Sequence, residues 1–118
     1  MIIKTRKYQA GDVLFLAGAL ADEAFLIKQG ELLIYDTIGG VERIFATRRV
    51  GDIVGEIALI DGQRRSAAVR ALTDCELIVL TREILQAELD NASPLIRKLM
   101  ESFLTYIRHS NTVIAKPS

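Results

Sequence analysis

The first two-thirds of the chain consist of short apolar stretches separated by turn-forming residues. AFLIKQGELLIYD contains two strand-like stretches that divide at Gln29-Gly30. Gly39-Gly40 then separates ELLIYD from VERIFAT, which is the strongest hairpin signal in the chain. SAAVRAL and CELIVLT follow as two more strand-like stretches. Several short strands at regular spacing predict a β-sandwich or barrel rather than a parallel sheet.

Helical spacing replaces the strand pattern in the last third of the chain. Thr81 can cap a helix that runs through REILQAEL and ends near Asp90-Asn91. Ser93-Pro94 begins another helix, since serine is a favoured capping residue and proline a favoured first helical residue. From there, apolar residues recur at helical spacing. They are Leu95, Ile96, Leu99, Met100, Phe103, Leu104 and Ile107.

The apolar stripe on this last helix is wider than a single contact needs. One side of it could pack on the β domain while the other packs on a second copy of the chain. A helix that is well buried on its own domain would give the same pattern, so the spacing leaves both arrangements open. The chain has no internal repeat and no long linker, and we interpret residues 1–118 as one domain.

Composition limits the classes of function. Half of the 118 residues are hydrophobic and a quarter are charged, which is typical of a folded globular chain. Fifteen basic and fifteen acidic residues cancel, so no overall field attracts nucleic acid or an anionic membrane. Any bound anion must therefore be held locally by a few well-placed groups.

Cysteine and histidine each occur once, as Cys75 and His109. One cysteine allows no intramolecular disulfide, and a single histidine argues against a metal centre or a metal-dependent enzyme. Cys75 lies in the strand-like CELIVL, which is typical of a buried hydrophobe rather than a nucleophile. No apolar stretch reaches the ~20 residues of a membrane span, and MIIKTRKYQ has no signal-peptide pattern. We therefore expect a cytoplasmic protein without metal, cofactor or catalytic residues.

The segment GEIALIDGQRRSAAVRA, which begins at Gly55, surrounds a small apolar stretch with charged groups. Gly55 lets backbone approach a ligand closely, and EIALI can form one helical turn whose free N–H groups point outward. Arg65 follows after a loop that can fold back over the same site, and its guanidinium matches two phosphate oxygens. Glu56 can accept hydrogen bonds from sugar hydroxyls, and Ser66 adds a donor. Such a pocket would suit a nucleotide monophosphate.

The same residues allow a purely structural interpretation. Glu56 and Arg65 could simply pair with each other, and Arg64-Arg65 could form a solvated turn. Spacing alone does not separate these interpretations, because a Gly-Glu pair followed by an arginine is a weak motif.

The segment closely resembles the phosphate-binding cassette of cyclic nucleotide-binding domains, the family of the bacterial catabolite activators and the protein kinase A regulatory subunits. Those cassettes have a glycine-glutamate, a small apolar turn, a short loop, and an arginine followed by small residues and valine. Here they are Gly55-Glu56, residues 57–59, the loop 60–64, and RSAAV from Arg65. The resemblance covers roughly residues 8–110. Its other motifs are Gly11-Asp12, Asp22, FLI at 25–27, Gly30-Glu31 and Gly51-Asp52.

The resemblance implies a mainly β fold, a jelly-roll barrel (double-stranded β-helix) at about residues 8–81 with flanking α-helices at about 82–90 and 94–111. It implies a cyclic nucleotide ligand, cyclic AMP or alternatively cyclic GMP. Arg65 would bind the cyclic phosphate and Glu56 the ribose 2′-hydroxyl. The implied ligand-binding residues are Gly55, Glu56, Ile57, Ala58, Arg65, Ser66 and Ala67, with Ser110 and Asn111 as candidates for contacts to the base.

Departures from the family pattern leave some choices open. Arg64 stands where many members carry proline, so either arginine could face inward, and position favours Arg65. Only NTVIAKPS follows the terminal helix, so we expect a fragment of a longer regulator or a stand-alone sensor that acts through a partner protein. We expect a homodimer through the C-terminal helix and no direct contact with nucleic acid. The alternative is a degenerate domain that serves as a dimerising scaffold without ligand.

Overall fold

The computed structural model describes the backbone of residues 3–113 and, within that range, the side chains of residues 3–59, 62–103 and 105–106. The chain divides into two compact units, Met1–Arg82 and Glu83–Ser118. In its described part, the first unit is built of strands with one short helix. The second is helical throughout its described part apart from the connection between its two helices.

The first unit contains two antiparallel sheets of four strands each, in the described part of the chain. Their strand orders are β1-β8-β3-β6 and β2-β7-β4-β5, so neighbours in space are mostly distant in sequence. This arrangement confirms the predicted mainly β jelly-roll class. The elements are β1 (Lys4–Tyr8), β2 (Val13–Phe15), β3 (Glu23–Gln29), β4 (Leu32–Ile38), β5 (Val41–Arg48), β6 (Ile53–Val54), α1 (Glu56–Asp61), β7 (Ala68–Ala71) and β8 (Cys75–Thr81).

The hairpin predicted at Gly39-Gly40 joins β4 to β5. Both glycines have positive φ, 59° and 79°, as a tight two-residue hairpin turn requires. Further along, Ile34 pairs with Ala46 whereas Tyr35 pairs with Ile44, so one residue of β5 is bulged out of the ladder. The alternation of side chains along VERIFAT therefore changes phase at the bulge.

The core lies on one face of each sheet. Phe25, Ile27 and Leu77 come from the first sheet, and Leu32 and Val69 from the second, all at most 3% exposed. Each follows the period of two that a strand with one buried face requires. Replacing a side chain such as Leu77 by alanine would cost about 2–5 kcal/mol, since the cavity cannot fully collapse.

Cys75 belongs to this core as a small buried hydrophobe. Its thiol lies 3.1 Å from the Thr73 carbonyl and 3.3 Å from the Glu31 carbonyl, and it donates weakly to these acceptors. Burial raises the pKa of the thiol, which suppresses the reactive thiolate. A Cβ at Gly30 would lie 2.6 Å from the sulfur, so only glycine fits beside it without rearrangement.

The opposite face of the second sheet carries a smaller apolar cluster of Leu33, Tyr35 and Ala68. Arg70 covers it, with Cζ 4.5 Å from the centre of the Tyr35 ring. Glu42 holds the Arg70 guanidinium through two hydrogen bonds of 2.6 and 2.8 Å. This cluster therefore combines an arginine, an aromatic ring and a carboxylate on the face away from the core.

The two helices are α2 (Arg82–Asn91) and α3 (Pro94–Val113). The Ser93 hydroxyl accepts a hydrogen bond of 3.2 Å from the Ile96 amide, so serine caps α3 as predicted. Among the described helices, none combines the length and the apolarity needed to traverse a bilayer. Large apolar residues of the predicted α3 stripe are exposed: Leu95 (75%), Ile96 (49%), Leu99 (46%) and Phe103 (54%).

Candidate functional site: the cassette around Arg65

Two glycines delimit α1 in the cassette. Gly55 precedes the helix at φ 80° and Gly62 follows it at φ 74°, both in the left-handed region. The Leu59 amide donates to the Gly55 carbonyl at 3.4 Å, which is the first hydrogen bond of the helix. The amides of the first three helical residues therefore have no partner inside the helix. They can serve as donors to an anion beside α1.

Among the described residues, Arg65 is the one charged residue that is buried, with 5% of its surface exposed. Its Nη1 donates to the Gly55 carbonyl at 2.8 Å, and its Nη2 donates to the Glu23 carbonyl. Its Cζ lies 4.0 Å from the centre of the Phe15 ring, a cation–π contact. Neutral groups thus hold the guanidinium, and none of these contacts cancels its charge.

The Nε atom of Arg65 is buried and has no hydrogen-bond partner among the described residues. A buried charged group with an unsatisfied donor is costly, because water no longer solvates it. An anion would satisfy this donor, since a guanidinium can bind two phosphate oxygens side by side. The spare donor and the uncancelled charge make Arg65 the centre of the candidate site.

The electrostatics of Arg65 reflect this placement. Burial lowers the pKa of Arg65, while attraction to Asp22, Glu23 and Glu56 raises it in part. Arginine stays protonated under all such shifts. Within the described part of the chain, none of these three acids forms an ion pair with Arg65. The interpretation of Glu56 and Arg65 as a simple ion pair is therefore not what the structure contains.

The two adjacent arginines point in opposite directions. Arg64 is exposed and its Nη1 donates to the Gly18 carbonyl at 2.9 Å, whereas Arg65 is buried. The backbone of Arg65 is fixed to the loop between β2 and β3. Its amide donates to the Ala19 carbonyl at 2.9 Å, and its carbonyl accepts from the Gly18 amide at 2.8 Å. Arg65 is thus the arginine that faces inward.

Gly55 leaves room for Arg65. A Cβ at Gly55 would lie 2.5 Å from Nη1 of Arg65, which is closer than real Cβ contacts come. The left-handed φ adds backbone strain for any other residue. Glycine at position 55 is therefore needed both for the packing of Arg65 and for the left-handed backbone of the turn.

The remaining predicted residues of the cassette surround this centre. Glu56, Ile57 and Ala58 are half-buried in the first turn of α1. Ser66 is exposed and Ala67 is buried at the entry to β7. The two candidates for base contacts, Ser110 and Asn111, have side chains that lie outside the described residues. In the described part of the chain, no group of three or more His, Cys, Asp or Glu could hold a metal ion.

Three contacts of the site were not predicted from sequence. They are the Phe15 ring, the Glu23 carbonyl and an ion pair between Arg6 and Glu23, whose carboxylate oxygens accept from Arg6 at 2.9 and 3.0 Å. Every residue has a backbone carbonyl, so the sequence cannot show that the carbonyl of Glu23 is the one that accepts from Arg65. Arg6 was not among the residues singled out from sequence.

The sequence profile of the cyclic nucleotide-binding domain family matches residues 5–92. That range contains both sheets from β1 onwards, the cassette and α2. The chain belongs to this family. The resemblance noted in the sequence is therefore confirmed at the level of the family.

The region that is similar to this chain makes up only part of each curated relative. The cyclic AMP receptor protein of Thermus thermophilus is 37% identical over 79 residues, which are 66% of this chain and 37% of that protein. A cAMP-dependent protein kinase regulatory subunit of Emericella nidulans is 33% identical over 81 residues, 69% of this chain and 19% of that protein. The chain thus spans less than two fifths of the length of each of these two curated relatives.

Among solved structures, the EAL enzyme Bd1971 in its cAMP-bound form is 33% identical, with a TM-score of 0.76. The match covers 95% of this chain and 30% of that chain. The cGMP-bound form of the same enzyme gives a TM-score of 0.77 at 32% identity, over 93% of this chain and 30% of that chain. This one enzyme has therefore been solved with either nucleotide bound.

Proposed function

We propose that the chain is a regulatory module that binds a cyclic nucleotide, cyclic AMP in the first place, in the cassette around Arg65. The observation that carries the proposal is the buried Arg65 guanidinium, which neutral groups hold while its Nε donor is spare. Membership of the cyclic nucleotide-binding domain family supports the class of ligand. The module has no catalytic role in this proposal.

Different cassette residues would bind different parts of the nucleotide. Arg65 and the amides at the start of α1 bind the cyclic phosphate, and the half-buried Glu56 accepts from the ribose 2′-hydroxyl. Ser66 and Ala67 complete the wall. Two or three charge-assisted hydrogen bonds at about 1.5–3 kcal/mol each, together with a buried base, reach the about −8 kcal/mol of micromolar affinity after ordering costs.

Arg82 provides a route by which binding would be transmitted to the C-terminal helices. It is the first residue of α2, and its Nη1 donates to the carbonyl of Leu59 in α1 at 2.5 Å. Its Nη2 donates to the Ala21 carbonyl at 2.9 Å, in the loop before β3. A shift of α1 on binding phosphate therefore acts directly on the start of α2. An unidentified downstream protein, or a further part of a longer protein, would receive the signal.

The exposed face of α3 supports a homodimer as part of this function. Leu95, Leu99 and Phe103 expose between 46% and 75% of their surface. Apolar residues at helical spacing are suited to packing against the same helix of a second copy. The same face favours the second candidate function, a dimerising scaffold that binds no nucleotide.

Calorimetric titration of the purified chain with cyclic AMP, and separately with cyclic GMP, tests the proposal. The protein is first shown to be free of bound nucleotide by its absorbance ratio. We expect micromolar or tighter binding, and we expect Arg65→Ala to weaken it by about a hundredfold or more, since the guanidinium charge and its hydrogen bonding to the phosphate are lost. Arg64→Ala is the matched control, because its side chain is exposed and contacts the loop carbonyl of Gly18.

The possible results separate the two functions. Equal affinity in the wild type and in Arg65→Ala, with both proteins folded by circular dichroism, would contradict the assignment of Arg65. No binding of either nucleotide by folded, nucleotide-free protein would contradict the sensor. If that protein also sediments as a dimer, the scaffold function replaces the sensor.

A further inference from the structure

A second arginine approaches the cassette from the edge of the first sheet. Arg6 lies on β1 in register with Leu77, a fully buried core residue, so its side chain is on the core face of the sheet. There it forms two hydrogen bonds with Glu23, from Nη1 to Oε1 at 2.9 Å and from Nη2 to Oε2 at 3.0 Å. Both carboxylate oxygens of Glu23 are thereby occupied.

Glu23 lies between two guanidinium groups. Its carboxylate accepts from Arg6, while its backbone carbonyl accepts from Arg65. Two stacked rings connect the same pair of arginines. Arg6 lies 5.8 Å from the centre of the Phe25 ring, that ring lies 6.4 Å from the Phe15 ring, and Arg65 lies 4.0 Å from Phe15.

The carboxylate of Glu23 is the natural competitor for the ligand of Arg65. The pKa of Glu23 is lowered, first by its hydrogen bonds with Arg6 and further by attraction to Arg65, so it is ionised at neutral pH. The carboxylate is close to Arg65 in space, because the backbone carbonyl of the same residue, Glu23, accepts a hydrogen bond from Arg65. A carboxylate that was free to turn toward Arg65 would neutralise the guanidinium and occupy donors that a phosphate needs.

We propose that Arg6 is a positioning residue of the nucleotide site, which holds the Glu23 carboxylate away from Arg65 and so keeps the Arg65 charge available to an anionic ligand. The inference rests on the proposed function, since it concerns the affinity of that same site. Arg6 itself needs no contact with the nucleotide. Its effect operates through Glu23 and disappears when the Glu23 charge is removed.

A double-mutant cycle tests this dependence by calorimetry with cyclic AMP. Arg6→Gln releases the carboxylate, and we expect it to weaken binding on the order of five- to tenfold, as a competing partly buried ion pair would. Glu23→Gln keeps the backbone carbonyl that accepts from Arg65 and removes only the competing carboxylate, so we expect it to bind within about twofold of wild type. The double variant Arg6→Gln/Glu23→Gln is likewise expected to return to within about twofold of wild type.

Arg70→Gln is the matched control. Arg70 also forms two hydrogen bonds with a glutamate and lies over an aromatic ring, but on the face of the second sheet away from the core. We expect this variant to bind as the wild type does. If it weakens binding as much as Arg6→Gln, the loss reflects general destabilisation and the proposal is wrong.

Two results of the cycle would also overturn the proposal. One is unchanged affinity in Arg6→Gln, and the other is a double variant that binds as weakly as Arg6→Gln, which would mean that Arg6 acts through its own charge. If Arg6→Gln does not fold, Arg6→Met replaces it, because methionine keeps an apolar contact with Phe25.

A measurement without nucleotide separates this inference from the proposed function. In ¹⁵N-edited spectra, the Arg65 Nε–H resonance, assigned by its absence in Arg65→Lys, reports directly on the partners of that guanidinium. We expect it to shift in Arg6→Gln and to return in the double variant. If the wild type binds no cyclic nucleotide, the proposed function fails, while this shift still decides whether Arg6 controls the pairing of Arg65. An unshifted resonance would contradict the inference.

Discussion

Substituting Gly55 by alanine tests how closely the cassette is built around Arg65. Two costs combine at this position. The left-handed backbone, with φ 80°, costs about 1–2 kcal/mol for a residue with a Cβ. The new Cβ would also lie 2.5 Å from Nη1 of Arg65, so the guanidinium must move and lose its 2.8 Å hydrogen bond to the Gly55 carbonyl. A lost hydrogen bond of a buried charged group adds about 1.5–3 kcal/mol.

Gly62→Ala is the matched control for this substitution. Gly62 flanks the other end of α1 at φ 74°, and a Cβ there would meet no described atom within 4 Å. It therefore carries the backbone cost alone. We expect about 1–2 kcal/mol of destabilisation for Gly62→Ala and about 3–5 kcal/mol for Gly55→Ala, measured by urea unfolding.

Nucleotide affinity separates the two variants further. In Gly55→Ala the displaced Arg65 no longer presents its donors to the phosphate, and we expect cyclic AMP affinity to fall about tenfold or more, against no change in Gly62→Ala. Equal losses of stability in the two variants, together with equal affinities, would refute the argument that Gly55 is reserved for Arg65.

Two further predictions concern the partners of the cassette. Arg82→Ala removes the hydrogen bonds to Leu59 and Ala21, and we expect cyclic AMP affinity to stay within about threefold while nucleotide no longer changes amide hydrogen exchange at the start of α2. An unchanged exchange response would exclude this route. Arg6 lowers the folded-state pKa of Glu23 below its ordinary 4.5, so Glu23 stabilises the fold above that pH, and the contribution is lost as pH falls through the lowered pKa. We therefore expect urea unfolding to show a steeper loss of stability below about pH 4.5 in the wild type than in Glu23→Gln, and parallel pH profiles would contradict this.

Much of the fold could be predicted because its signals are local in sequence. Gly39-Gly40 supplies the two positive φ angles of the β4–β5 turn, and Ser93-Pro94 supplies the cap and the first residue of α3. Strand spacing predicted a sandwich or barrel, and the resemblance to the family specified the jelly roll. The cassette was found because an ordered set of motifs resembles a known family, while the spacing of Glu56 and Arg65 alone left an ion pair possible.

The rest of the site depends on contacts between distant parts of the chain. The Glu23 carbonyl is 42 residues from Arg65, and no side-chain pattern reveals a backbone acceptor. Arg6 lies in KTRKY, a mostly polar segment that gives no sign of a buried face. Only the register of β1 against β8, which aligns Arg6 with Leu77, shows that this side chain lies on the core face. Register between distant strands is set by the packing of the whole barrel and not by either strand alone.

The groups that hold Arg65 leave its positive charge uncompensated. A buried arginine is stabilised most simply by a carboxylate, but a carboxylate would also remove the charge that attracts an anion. Here two carbonyls and an aromatic ring hold the guanidinium, and the one carboxylate on a residue that it contacts is bound by Arg6. The protein thus carries an incompletely compensated buried charge, which is what the proposed anion site requires. In the proposed function an anionic ligand would supply the missing partner, and its binding would then stabilise the cassette and any element hydrogen-bonded to it, including the start of α2 through Arg82.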